Sequence, residues 1–210
     1  MNGFRGRQRD VADSLPWTCG SLMSAARAAL SNRLVACSAT SGFHHAGCES
    51  SYGYCTFNGL MLTALVLALA LKLEGLMQRA GILDCDQHYG DVTVEIIATL
   101  DIDWIRHVSQ EHWSIDEAAP FIDQLPKMVR SLANCDLLIY QAGADQHLND
   151  PLGGFLTTTK LAERDRIVFS VAKSIDPPLF WNLAGGYQVP PVRVLEIHRN
   201  TMTACTAEYL

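Results

Sequence analysis

The sequence has no pair of cysteines spaced Cys-x-x-Cys, no basic run beyond three arginines between residues 5 and 9, and no apolar run long enough to span a bilayer. Each absence removes a class of protein. The seven cysteines are odd in number and scattered singly, which is not the framework of a disulfide-stapled secreted domain. With no leader-like start in view, a reducing, cytoplasmic setting is expected. A net charge of −6 and the lack of a longer basic stretch disfavour binding through nucleic-acid phosphates, so no nucleic-acid partner is expected. The longest apolar run, residues 60–73, falls short of the roughly 20 residues that cross a membrane. It is expected to be a buried helix, and no membrane partner is expected.

What is present is a hydrophobic fraction of 49% against 18% charged residues, enough apolar material for one sizeable core. Helical and strand patterns alternate. Helices are expected near residues 22–31, 60–73, 93–99, 118–132 and 159–174, and strands near 34–39, 80–84, 104–108, 137–141 and 178–183. This alternation predicts an α/β fold: three layers, with a mostly parallel sheet of five or six strands and helices on both faces, as a single domain over residues 1–210.

In such sheets ligands gather outside the carboxyl ends of the strands, and the unusual segments here all follow predicted strands. The most informative is Asp84-Cys85-Asp86-Gln87-His88-Tyr89-Gly90-Asp91. Asp86 and His88 are two residues apart, so in an extended segment both side chains point the same way and can grip one ion. Asp145, on the glycine-containing turn Gln141-Ala142-Gly143-Ala144-Asp145, offers a third ligand. Three protein ligands leave a zinc position open for water. Taken singly, either aspartate could be only a helix cap or turn former.

A second cluster, Gly42-Phe43-His44-His45-Ala46, follows the strand before it. Adjacent histidines alone signify little, but a histidine base needs an orienting carboxylate, and Asp84 and Asp91 remain once Asp86 is assigned to metal. Finally, Asn182-Leu183-Ala184-Gly185-Gly186-Tyr187 places a tyrosine after two glycines. Its hydroxyl could serve a developing oxyanion, or its ring could simply pack as a wall.

These segments, in this order and together with Gly53-Tyr54-Cys55-Thr56-Phe57-Asn58 and Asp150-Pro151-Leu152-Gly153-Gly154, resemble the histone deacetylase and acetylpolyamine amidohydrolase family. The resemblance runs from about residue 20 to 187. It implies an arginase/deacetylase-like α/β fold and one zinc ion per chain on Asp86, His88 and Asp145. It further implies His44 and His45 paired with Asp84 and Asp91, and Tyr187 polarising an amide carbonyl. Gly53 and Tyr54, with Gly185 and Gly186, would border the substrate channel. The implied reaction is hydrolysis of an acyl-amide bond, with His45 taking the proton of the attacking water and His44 or His45 protonating the leaving amine. The substrate would be an acetyl-lysine side chain or an acetylated small amine or polyamine.

The sequence also departs from the family pattern. It begins where relatives' first hundred or so residues would have passed, which leads to the expectation of an exposed sheet edge and a homodimer. Between residues 109 and 135 no glycine-rich loop supplies a second aromatic channel wall. Tyr89 stands where a second histidine often follows the ligand histidine, and Gly59 where an aspartate is common. Potassium, which family members bind near the strand holding Asp84, is left as a second cation, although residues 107–110 align poorly with its ligands. Two other readings compete: a catalytically impaired member acting as a binding or assembly module, and an arginase-like two-manganese hydrolase. The complete histidine–aspartate set speaks against the first, and a single Asp-x-His against the second.

Overall fold

A computed structural model describes residues 8–73, 77–110 and 114–210. The basic stretch at residues 5–9 therefore lies mostly outside the described residues. In chain order the elements are α1 (Arg9–Asn32), β1 (Val35–Ser38), α2 (Gly59–Leu73), β2 (Ala80–Asp84), α3 (Asp91–Thr99), β3 (Ile105–Ser109), α4 (Ala118–Arg130), β4 (Leu137–Gly143), α5 (Thr158–Ile175), β5 (Leu179–Ala184) and α6 (Val192–Tyr209).

The five strands form one sheet in the order β1-β5-β4-β2-β3, and every neighbouring pair is parallel. β4 lies in the middle and is buried along its whole length, which is why Leu137-Leu138-Ile139-Tyr140 reads as an unbroken apolar run. Helices cover both faces. On one, Leu22 and Ala26 of α1, Leu60 and Met61 of α2 and Ile96 of α3 pack on Ile82, Ile139 and Phe180. On the other, Phe121, Leu125 and Val129 of α4, Val168 and Phe169 of α5 and Ile197 of α6 pack on Leu138, Tyr140 and Trp181. The expected three-layer α/β architecture is thus present, with five strands among the described residues.

Two helices differ from expectation. α1 starts well before residue 22: Leu15, Cys19, Leu22, Ala26 and Ala29 form a buried stripe at helical spacing that passes Pro16 and Gly20. α6 was not anticipated, because its buried positions, Ile197, Thr201, Ala204 and Cys205, make only a thin stripe that includes a threonine.

The register places a row of polar residues across the carboxyl end of the sheet. Ser38 aligns with Asn182, Asn182 with Gln141, Gln141 with Asp84, and Asp84 with Ser109. Below this row the strands are largely apolar; above it β1, β2 and β3 end, while β4 and β5 stay paired for two more residues. No helix among the described residues is long and apolar enough to cross a membrane, and the seven cysteines are free.

Candidate active site

The loops following β1, β2 and β5 converge on one cavity of about 390 Å³, lined by His44, His45, Asp86, His88, Gly185 and Tyr187 among others. Gly53 and Tyr54 line it too. The three expected metal ligands come together: one ligand atom from each of Asp86, His88 and Asp145 lies within 4.8 Å of the others. His88 Nδ1 is 3.1 Å from both Asp86 Oδ1 and Asp145 Oδ2. Asp145 is fully buried.

Such a set holds either protons or a cation. Burial and the neighbouring Asp86 carboxylate push Asp145 up, and its hydrogen bonds to Asp145 and Asp86 raise His88 to about 10. Two carboxylates and an imidazole nitrogen are oxygen and nitrogen donors of the kind zinc takes, and metal binding would displace the protons they share. The residues therefore fit the implied ion.

Gly185 makes this packing feasible. Its φ is +52°, and a Cβ there would lie 2.3 Å from Asp145 Cγ, so a side chain would collide with the carboxylate. Gly186 follows with φ +98° and completes the turn that delivers Tyr187 to the cavity. The Tyr187 backbone N–H donates to Asp150 Oδ2 at 2.8 Å, which anchors the turn. Burial, then Asp86 and Asp145, push the Tyr187 phenol above its ordinary range, so it remains a neutral donor.

The two histidines differ. His44 Nδ1 is hydrogen-bonded to Asp84 Oδ2 at 2.7 Å, and both groups are buried. Asp84 is held in turn: Oδ1 accepts from Gln141 Nε2 at 3.0 Å, and Asn182 Nδ2 donates to Gln141 Oε1 at 3.3 Å. Three members of the polar row, Asp84, Gln141 and Asn182, thus form a hydrogen-bonded relay behind His44. Burial opposes charge on His44, but Asp84 and Asp86 outweigh it and raise the ring to about 9. Asp84, despite its burial, is held well below the carboxylate range by His44 and His107. His107, in the middle of β3, brings Nε2 to 3.9 Å from Asp84 Oδ2.

His45 Nδ1 lies 3.5 Å from Asp91 Oδ1 without a hydrogen bond. Burial, then the charge on His44, lowers it to about 4. Asp91 instead accepts the hydroxyl of Tyr52 at 2.6 Å, and the Tyr52 ring stacks on His45 at 4.4 Å. Tyr52 was not singled out from the sequence.

Arg164 was also missed. It is fully buried in α5, and Nη1 donates to the carbonyls of Cys85 and Gly143 and to Gln146 Oε1, beside the segments after β2 and β4 that carry the candidate ligands. Its charge is met by Asp165, which also accepts from Tyr140 and Thr201. A sequence signal existed: Leu161, Arg164, Asp165, Val168, Phe169 and Ala172 form the buried stripe of α5, and two charges occupy positions where apolar residues belong.

Residues 8–112, half of the chain, match the histone deacetylase domain. The chain belongs to the histone deacetylase family. That match covers the tandem histidines and residues 84–91 but not Asp145 or Tyr187, whose case rests on geometry. Among curated relatives of this deacetylase-family chain, an uncharacterised protein of Picosynechococcus sp. is 29% identical over 82% of the chain and 66% of its own length. Histone deacetylase 2 of Arabidopsis thaliana is 27% identical over 73% of the chain and 44% of its own length. The chain thus spans less than two thirds of these relatives. The crystal structure of acetylpolyamine aminohydrolase from Burkholderia pseudomallei superposes with a TM-score of 0.69 at 20% identity, covering 91% of this chain and 62% of that one. It has the same fold.

Proposed function

We propose that this chain is a zinc-dependent deacylase that hydrolyses the acyl-amide bond of an acetyl-lysine side chain or an acetylated small amine or polyamine. What carries the reading is the placement of Asp86, His88 and Asp145 within 4.8 Å of one another beside the tandem histidines. Family membership and the likeness to an acetylpolyamine aminohydrolase support it.

Asp86, His88 and Asp145 would hold the ion, which supplies Lewis acidity to the amide carbonyl and to water. The chain's own residues do the rest. His45, with its ring at the cavity, accepts the proton of the attacking water. Tyr187 donates its hydroxyl to the oxygen that becomes negative as the carbonyl carbon turns tetrahedral. His44, fixed by Asp84 and the relay through Gln141, keeps positive charge beside the ligand carboxylates. As the C–N bond breaks, a proton from this histidine pair passes to the amine, leaving carboxylate and free amine. A cavity of about 390 Å³ is in the range of small-molecule sites and accommodates an acyl group with part of its linker.

The test is release of acetate from acetyl-lysine peptides and acetylpolyamines, with and without a chelator. Turnover abolished by the chelator and restored by zinc supports the proposal. Turnover indifferent to chelator, or none on either substrate class by a zinc-loaded chain, contradicts it.

A further inference from the structure

His45 and Asp91 lie at ion-pair distance, yet no hydrogen bond joins them. The reason is visible at the carboxylate. Asp91 Oδ1, the oxygen nearer the ring, already accepts the Tyr52 hydroxyl at 2.6 Å and the Val92 backbone N–H at 2.9 Å. A carboxylate oxygen offers about two acceptor directions, so both are taken. Tyr52 meets the other partner as well, since its ring lies on the His45 imidazole at 4.4 Å with an interplanar angle of 26°.

We infer that Tyr52 is a positioning residue for His45: its hydroxyl fixes the Asp91 carboxylate, its ring fixes the imidazole plane, and Asp91 acts on His45 by charge across the gap they define. The Asp91 side chain is 54% exposed, and the Tyr52 phenol adds a second hydrogen bond to that of the Val92 backbone N–H in holding the carboxylate against turning into solvent. Gly53 shows how tightly this loop is fitted: with φ +56°, a Cβ there would lie 2.8 Å from His45 Cδ2. Tyr52 and Gly53 thus close on the same ring from adjacent positions.

The kinetic arm of the test rests on the proposed amide hydrolysis; the spectroscopic arm does not. Tyr52→Phe keeps the stacked ring and removes only the hydroxyl, and because residue 52 is 41% exposed the variant should retain the fold. With seven histidines in the chain, 15N-histidine spectra can be assigned, His45→Gln identifying the resonances of interest. In Tyr52→Phe the His45 ring nitrogens should shift while those of His198, which lies in α6 and does not line the cavity, stay in place. On an acetylated amine, kcat should fall about tenfold, the share of one hydrogen bond to a charged group, with KM unchanged within about twofold. In an Asp91→Asn background the same substitution should have no further effect. Unmoved His45 resonances overturn the inference whatever the kinetics, and so do additive losses in the double variant. If the wild-type chain hydrolyses no amide but the resonances move, the deacylase reading falls and the positioning of His45 stands.

Discussion

Gly185 sits directly against the Asp145 carboxylate, with no room between them for even a methyl group. The candidate ligand Asp145 is therefore held in place by a glycine that itself lines the cavity. Gly185→Ala must either move Asp145 or distort the loop, since φ +52° is itself costly for a residue with a Cβ. The expected outcome is reduced zinc retention on dialysis with the fold preserved, measured by elemental analysis alongside circular dichroism. Full retention of zinc would show that the contact is not restrictive.

His45→Ala removes the proposed base and leaves Asp86, His88 and Asp145 unchanged. Zinc content and thermal stability should be near those of the parent, while amide hydrolysis slows by about 10²–10⁴, the usual share of general acid–base catalysis. Turnover at the parent rate would remove His45 from the mechanism.

The strand ends were the most legible part of the molecule. β2 begins and ends where its apolar run predicts, and Asp86 and His88 follow it at a spacing that already suggested a shared ligand. The other ends of the constellation could be read only as segments that follow strands, because how close Asp145 comes to His88 depends on strand order, which no local pattern contains. Tyr52 and Arg164 escaped for different reasons. Tyr52 acts through a residue 39 positions away, at the start of α3. Arg164 lies in a helix the sequence does predict, but only its register with Leu161 and Val168 reveals that it faces inward. α6 buries only Ile197, Thr201, Ala204 and Cys205 of its residues, and Thr201 is held there by a hydrogen bond to Asp165.

Arg164 gives the sharpest stability prediction. Arg164→Met leaves Asp165 as an uncompensated buried charge and strips donors from the Gly143 and Cys85 carbonyls. Breaking a buried pair this way typically costs about 3–5 kcal/mol. Thr201→Val, which removes a single hydrogen bond to Asp165, should cost about 1–3 kcal/mol. Urea denaturation of both variants checks the order; a Thr201→Val loss equal to or larger than that of Arg164→Met would refute the account of the network.

His198 makes stability depend on pH in a defined window. Burial and the nearby Arg164 guanidinium lower it to about 4, with Asp165 pulling the other way. The unfolded chain takes up this proton near pH 6.5, the folded chain only near 4. Stability from this group is therefore complete above about pH 6.5 and is lost as pH falls towards 4. His198→Asn should show a shallower loss than the parent across that interval in urea titrations at stepped pH. Parallel curves would show that the folded and unfolded chains take up this proton at the same pH.

The most direct test of the central claim is the metal content of the chain and of Asp145→Ala after purification in zinc and exhaustive dialysis. The account predicts about one zinc per chain in the parent and a large loss in the variant. An unchanged zinc content in Asp145→Ala, or a parent that retains none, would contradict a metal centre built on Asp86, His88 and Asp145.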